Sequence, residues 1–171
     1  MGRRLWRWIP VGLLGACTSA AAGPPASTAS GSVAQANAVV EAVVDGDTID
    51  VRIDGDEERV RLIGIDTPET KKPDTPVECF GPEATAFTQS LLAPGTPVRL
   101  ERDVVGRDDY GRLLAYLYRA SDGILVNYEI VRQGFARPLT IPPNDSYAEQ
   151  FVQAARAAER DDAGLWSNCR G

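Results

Sequence analysis

The chain has 171 residues, 43% of them hydrophobic and 25% charged, which fits one compact domain once the first part of the chain is set aside. It has no histidine, which excludes serine–histidine triads, histidine general bases and most zinc sites and leaves acid–base work to carboxylates, Lys, Tyr, Cys or bound water. Residues 1–16 hold three of the 18 Lys and Arg residues and none of the 24 acids, so the remainder has 15 basic side chains and a net charge of −9, unlike the basic surface of most DNA-binding domains.

Arg3, Arg4 and Arg7 followed by the short apolar stretch from Ile9 to Leu14 read as a signal peptide over residues 1–16. Leu14-Gly15-Ala16-Cys17 resembles the lipobox of bacterial lipoproteins, so cleavage before Cys17 and lipidation of its thiol are expected. The other readings are a plain secretory signal with an incidental cysteine, or a short membrane anchor, although the apolar run falls well below the roughly 20 residues a spanning helix needs. Residues 17–36 are rich in Ser, Ala, Thr, Gly and Pro and read as a flexible linker that would let a domain over 37–171 stand off a membrane surface. With Cys17 acylated, Cys79 and Cys169 remain, an even pair in a chain that leaves the reducing cytosol. One disulfide between them would close a loop of about 90 residues, for which the chain-entropy model gives roughly 4–5 kcal/mol; two separate free thiols are the alternative.

Within the domain, Val39 to Val44 reads as a strand, Thr48 to Ile53 alternates with Ile49, Val51 and Ile53 on one face, and Asp54-Gly55 is a two-residue hairpin signal leading into a third strand, Arg59 to Ile65. A Lys- and Pro-rich loop from Thr70 to Phe80 precedes a helix from about Pro82 to Leu92, with proline at its start and Pro94-Gly95 at its end. Val98 to Arg102 and Leu113 to Tyr118 read as two more strands. Asn127 is expected to cap a short helix that stops at Gly134, and the Ser146/Glu149 capping-box pattern to start a longer one that stops near Gly164. Five strands with a helix between the third and fourth is the order of an OB-fold barrel, so the expected class is α+β, a five-stranded OB-fold β-barrel with three helices.

Strand ends in a small barrel can converge at one rim, and the charged motifs lie there: Asp45-Gly46-Asp47-Thr48 between the first two strands, Asp66-Thr67-Pro68-Glu69 after the third, and Tyr110-Gly111-Arg112 before the last. Asp47 and Asp66 with a nearby backbone carbonyl are hard oxygen ligands suited to calcium. Arg61 and Arg112 can clamp the equatorial oxygens of a phosphodiester by bidentate hydrogen bonds while Glu69 takes a proton from an attacking water. Taken singly, each piece has an ordinary reading: an Asp-Gly turn, rim salt bridges, a solvated loop acid.

Taken together they resemble the staphylococcal nuclease family. Asp45-Gly46-Asp47-Thr48, Arg61 to Thr70, Gly81-Pro82-Glu83-Ala84, Asp109-Tyr110-Gly111-Arg112, Val131-Arg132-Gln133-Gly134 and Leu165-Trp166-Ser167 occur in that family's order and span about residues 38–168. The resemblance implies a calcium-dependent enzyme that hydrolyses DNA and RNA to 3′-phosphorylated products. It implies Asp47, Asp66 and the Thr67 carbonyl as calcium ligands, Arg61 and Arg112 as phosphate contacts and Glu69 as base or water-positioning group. Asp45 would stand behind the ligands and Tyr110 near a substrate phosphate. A monomer is expected, with nucleic acid as substrate and a membrane tether through Cys17.

Two departures bear on affinity. Asp109 stands where the family's best-known member has a phosphate-contacting lysine, and Thr140 and Pro142 where it has two tyrosines beside the base pocket; Ile141 to Asn144 would form a more rigid wall instead. The acidic balance and these losses favour a noncatalytic binding module on the cell envelope; retention of Asp47, Asp66, Arg61, Glu69 and Arg112 favours the enzyme.

Overall fold

The computed structural model describes residues 35–71 and 76–169. The expected signal peptide, Cys17 and nearly all of the expected linker lie outside the described residues.

Strands β1 (Ala38–Asp45), β2 (Thr48–Ile53) and β3 (Asp56–Leu62) form an antiparallel meander. Asp54 and Gly55 turn β2 into β3 with φ of 52° and 101°, the left-handed pair whose twist matches that of the flanking strands. After Ile63 the chain leaves the barrel as β4 (Gly64–Asp66), so the expected third strand is divided in two. Gly64 permits the break: it has φ of 81°, and a Cβ there would lie 2.3 Å from the Phe151 ring.

Helix α1 (Gly81–Leu91) carries Pro82 in its first turn, and β5 (Pro97–Glu101) and β6 (Leu113–Arg119) pair antiparallel. β6 also pairs in parallel with β3, and β5 pairs antiparallel with β1, which closes a five-stranded barrel in the order β1-β2-β3-β6-β5. This is the expected OB-type α+β fold. Helix α2 (Val126–Arg132), strand β7 (Arg137–Leu139), helix α3 (Ala148–Arg160) and a single turn, α4 (Leu165–Asn168), follow. β7 pairs with β4 as a separate two-stranded sheet, a ladder too short to leave a periodic signal. Val40, Ile49, Val51, Val60, Leu62, Val98 and Leu117 fill the barrel, and Ile130, Val131 and Phe151 of α2 and α3 extend the same core.

Both expected helix caps are absent. α2 starts after Leu125 and α3 after Tyr147, neither with a side-chain cap. Ser146 instead donates from its hydroxyl to Asp103 Oδ1 at 3.0 Å. Asn127 lies inside α2, fully buried; its Nδ2 donates to the Ile63 carbonyl at 2.9 Å and its Oδ1 accepts from the Leu117 N–H at 2.9 Å. It therefore bonds the backbone where β3 and β6 part, a demand that outweighs capping because a buried backbone group without a partner is costly.

Cys79 and Cys169 form a disulfide with a Cα–Cα distance of 5.8 Å. It ties the segment before α1 to the residue after α4.

Asn127→Ala leaves the Leu117 N–H and Ile63 carbonyl without their side-chain partner, at about 1–3 kcal/mol for each group so stranded. Urea unfolding should give a midpoint below wild type with an unchanged slope; an unchanged midpoint would contradict this role.

Candidate active site

The turn between β1 and β2 is held from three sides. The Asp47 N–H donates to Asp45 Oδ1 at 3.2 Å, the Asp47 carbonyl accepts from the Leu62 N–H at 2.8 Å, and Thr88 Oγ1 of α1 donates to the Gly46 carbonyl at 2.7 Å. A Cβ on Gly46 would lie 2.7 Å from Thr67 Oγ1, so the end of β4 reaches this turn only because position 46 is glycine.

Asp47 is 6% exposed. Its Oδ2 accepts from the Thr67 N–H at 2.9 Å and hydroxyl at 3.0 Å, and its Oδ1 from the Thr48 hydroxyl at 3.2 Å. Arg61 Nη2 lies 3.1 Å from Asp47 Oδ2 and 3.0 Å from Asp66 Oδ1, while Nη1 donates to the carbonyls of Leu62 and Ile65 at 2.6 and 3.0 Å. Charges withdrawn from water this far persist because nearly every polar valence is met. One guanidinium nitrogen thus sits between the two carboxylates expected to hold a metal.

Arg112 is aimed by Asp108, whose Oδ2 accepts from Nε at 2.7 Å and whose Oδ1 accepts from the Arg112 N–H at 2.9 Å. Glu69 lies on the loop after β4, where its Oε1 accepts from the N–H groups of Thr70 and Lys71 at 2.8 and 2.7 Å. Its own N–H donates to Glu78 Oε2 at 3.1 Å.

Asp45, Asp47, Asp66, Thr67, Glu69, Arg61 and Arg112 all line one polar cavity of about 310 Å³, together with Thr48 and Glu78. Tyr110 does not reach it. The residue is 87% exposed and lines an adjoining apolar groove with Val105, Leu139, Ile141, Pro142 and Pro143. Arg61 and Arg112 line both spaces and form their common wall. Of the two positions expected beside a base pocket, Pro142 lines the groove and Thr140 does not.

Electrostatics favour a cation in the polar cavity. Burial, and then the neighbouring Asp47 charge, push the Asp45 carboxyl above its ordinary value. The Asp66 carboxyl is also raised, first by burial against Arg61's opposing charge, with Glu78, Glu69 and Asp45 adding repulsion. The donors are all oxygen, the chemistry of calcium or magnesium rather than of zinc or copper. Among the described residues no three Asp, Glu or Cys side chains close on one point. What fits an ion is therefore a pair of carboxylates already sharing one cationic nitrogen, completed by carbonyl and water oxygens. Near the cavity, Arg59 pairs with Asp50 at 2.8 Å and Arg107 with Glu58 at 2.6 Å.

The family model described as "Staphylococcal nuclease homologue" matches residues 59–168. The chain belongs to the staphylococcal nuclease family. It is 44% identical over 128 residues to a thermonuclease of Staphylococcus intermedius, covering 75% of this chain and 74% of that one, and 43% identical over 126 residues to a thermonuclease of Staphylococcus hyicus, covering 74% and 73%. It is also 38% identical over 133 residues to the endonuclease YncB of Bacillus subtilis, covering 77% of this chain and 62% of the relative.

Glu78 and Asp108 were not among the expected site residues. Nothing in periodicity marks either; the one available signal for Glu78 was its place beside Cys79.

The Asp108 carboxyl is held below its ordinary value: burial raises it, but the Arg112 side-chain and backbone hydrogen bonds outweigh that. A carboxylate lowered on folding contributes stability above its unfolded pKa and loses it as pH falls through the folded one. Asp108→Asn should therefore be less stable than wild type at neutral pH, with the gap closing below about pH 4. Urea unfolding of both proteins across pH 3–7 reads this, and a gap that stayed constant or widened in acid would contradict it.

Proposed function

We propose that this family member is an exported, calcium-dependent nuclease that hydrolyses phosphodiester bonds in DNA and RNA, without selecting the sugar, to 3′-phosphorylated products. The observation that carries the reading is the single cavity in which Asp47, Asp66, Glu69, Arg61 and Arg112 meet. The curated relatives' names, thermonuclease and endonuclease, support the reaction class.

Asp47, Asp66 and the Thr67 carbonyl would hold the ion, with Asp45 behind them. A bound calcium ion would supply positive charge to the phosphate. Arg61 and Arg112 grip non-bridging phosphate oxygens and oppose the charge that builds on them. Glu69, aimed by its two backbone hydrogen bonds, takes a proton from the water that attacks phosphorus. The bond to the 5′ oxygen breaks and the phosphate stays on the 3′ side. The groove beside Tyr110 receives the neighbouring nucleotide; its aliphatic Ile141, Pro142 and Pro143 replace ring stacking, which contributes about 1–3 kcal/mol per base elsewhere. The disulfide supports export, and Cys17 is proposed as the lipidated anchor of a monomer.

Cleavage of single-stranded DNA should require calcium and stop in chelator. Glu69→Gln should cost about 10²- to 10⁴-fold in turnover and Arg112→Ala about 10²- to 10³-fold, with smaller changes in binding or thermal stability. Binding without cleavage, unchanged in both variants, would replace the enzyme with an envelope binding module.

Asp109→Lys removes an acid from the groove wall and adds a cation. It should tighten single-stranded DNA binding and steepen its dependence on salt; binding that is unchanged at low salt would contradict a phosphate passing that side chain.

A further inference from the structure

Glu78 and the Cys79–Cys169 disulfide meet the proposed machinery at the backbone of Glu69. The Glu69 N–H donates to Glu78 Oε2 at 3.1 Å, and the Glu69 carbonyl accepts from the Glu78 N–H at 2.9 Å. One residue therefore holds both backbone polar groups of the proposed base. Neither partner belongs to a helix or strand, so no ladder fixes their spacing. The start of α1 adds to the clamp: the Gly81 N–H donates to the Glu78 carbonyl at 3.1 Å, and a Cβ on Gly81 would lie 3.1 Å from the Pro68 carbonyl oxygen.

The next residue, Cys79, carries the covalent link, and its far end is anchored in the core. Cys169 follows α4, whose Leu165 is 2% exposed and donates from its N–H to the Gly134 carbonyl at 2.9 Å. The Gly134 and Gly164 backbones are so close that a Cβ on Gly164 would lie 2.3 Å from the Gly134 oxygen. Cys79 is exposed and Cys169 half-buried, so a small reductant can reach the bond.

We propose that Glu78 is a positioning residue for Glu69 and that the Cys79–Cys169 disulfide keeps it in place, so that turnover depends on the oxidised chain. This rests on the reading that Glu69 acts on the attacking water. A dithiol reductant delivers two electrons and two protons, becomes a disulfide itself and leaves two protein thiols; Glu78 then keeps its bonds to Glu69 and Gly81 but loses the covalent tie that holds this segment to the far end of the domain. Displacement of a reacting group by about 1 Å can cost on the order of 10²-fold, so the effect belongs in kcat and not in substrate binding. A disulfide that only stabilises would lower the melting temperature and leave kcat alone.

The test uses the exported, oxidised full chain on single-stranded DNA with calcium, at a temperature where circular dichroism shows the reduced chain folded. Dithiothreitol should lower kcat about 10-fold or more with KM within about threefold, and reoxidation should restore it. The Cys79→Ser/Cys169→Ser double variant should match the reduced protein and ignore dithiothreitol. Glu78→Ala should lower kcat in the oxidised state, whereas Glu78→Gln, whose amide oxygen can accept the same bond, should recover most of it. If Glu69→Gln is inactive while reduction and Glu78→Ala leave kcat at the wild-type value, the inference falls and the reading of Glu69 stands. If Glu69→Gln keeps full turnover, the reading itself falls.

Discussion

The buried carboxylate of Asp47 is the constraint that joins this barrel to its site. It takes two hydrogen bonds from Thr67 and an ion pair from Arg61, and so fastens the β1–β2 turn to the end of β4. Without that acceptor, the Thr67 N–H would be left buried without its partner and the Arg61 guanidinium would lose one of its two carboxylates, which is more costly than the pair itself is stabilising. Gly46 and Thr88 serve the same junction, one by leaving room for Thr67 and the other by bonding the turn from α1. The positions of Asp66 and Glu69 follow from it, because both lie on the segment that Thr67 anchors.

The same junction explains how a strongly acidic chain can act on a polyanion. Arg59, Arg61, Arg107 and Arg112 are each matched by a carboxylate, so these four form no broad positive field. Charge complementarity is local instead: Arg61 and Arg112 stand between an acidic cavity and an apolar groove. In the proposed reaction each arginine would trade part of its carboxylate contact for phosphate oxygens; Asp108 holds Arg112 for that exchange through one hydrogen bond to its Nε and one to its backbone N–H. The cavity's own acids then need a cation of their own.

Local signals with short reach were legible in the sequence. The Asp54-Gly55 turn, the alternation through Ile49 and Val51, Pro82 at the helix start and the three rim motifs needed only neighbours along the chain to be read. What depended on distant partners was not. Asn127 and Ser146 had the chemistry of caps, but a buried backbone at β3 and β6 claimed one and Asp103 the other. The three-residue β4 and β7 were too short for a period, and Gly64's role depends on Phe151, far along the chain. The residues expected at the site, Tyr110 apart, line one cavity because their motifs sit at strand ends that the barrel brings together. Glu78 and Asp108 escaped because each works by holding another side chain or backbone in place.

Calcium titration by calorimetry, on wild type and Asp66→Asn, tests the central claim most directly. Asp66 lies at the rim with 57% of its side chain exposed, so its loss should leave the fold intact while removing one of the two carboxylates proposed to share the ion. The account predicts one calcium per wild-type chain, binding weakened at least about tenfold in the variant, and the same unfolding midpoint for both without calcium. Equal calcium affinity in the two proteins, or no calcium binding by wild type, would contradict it.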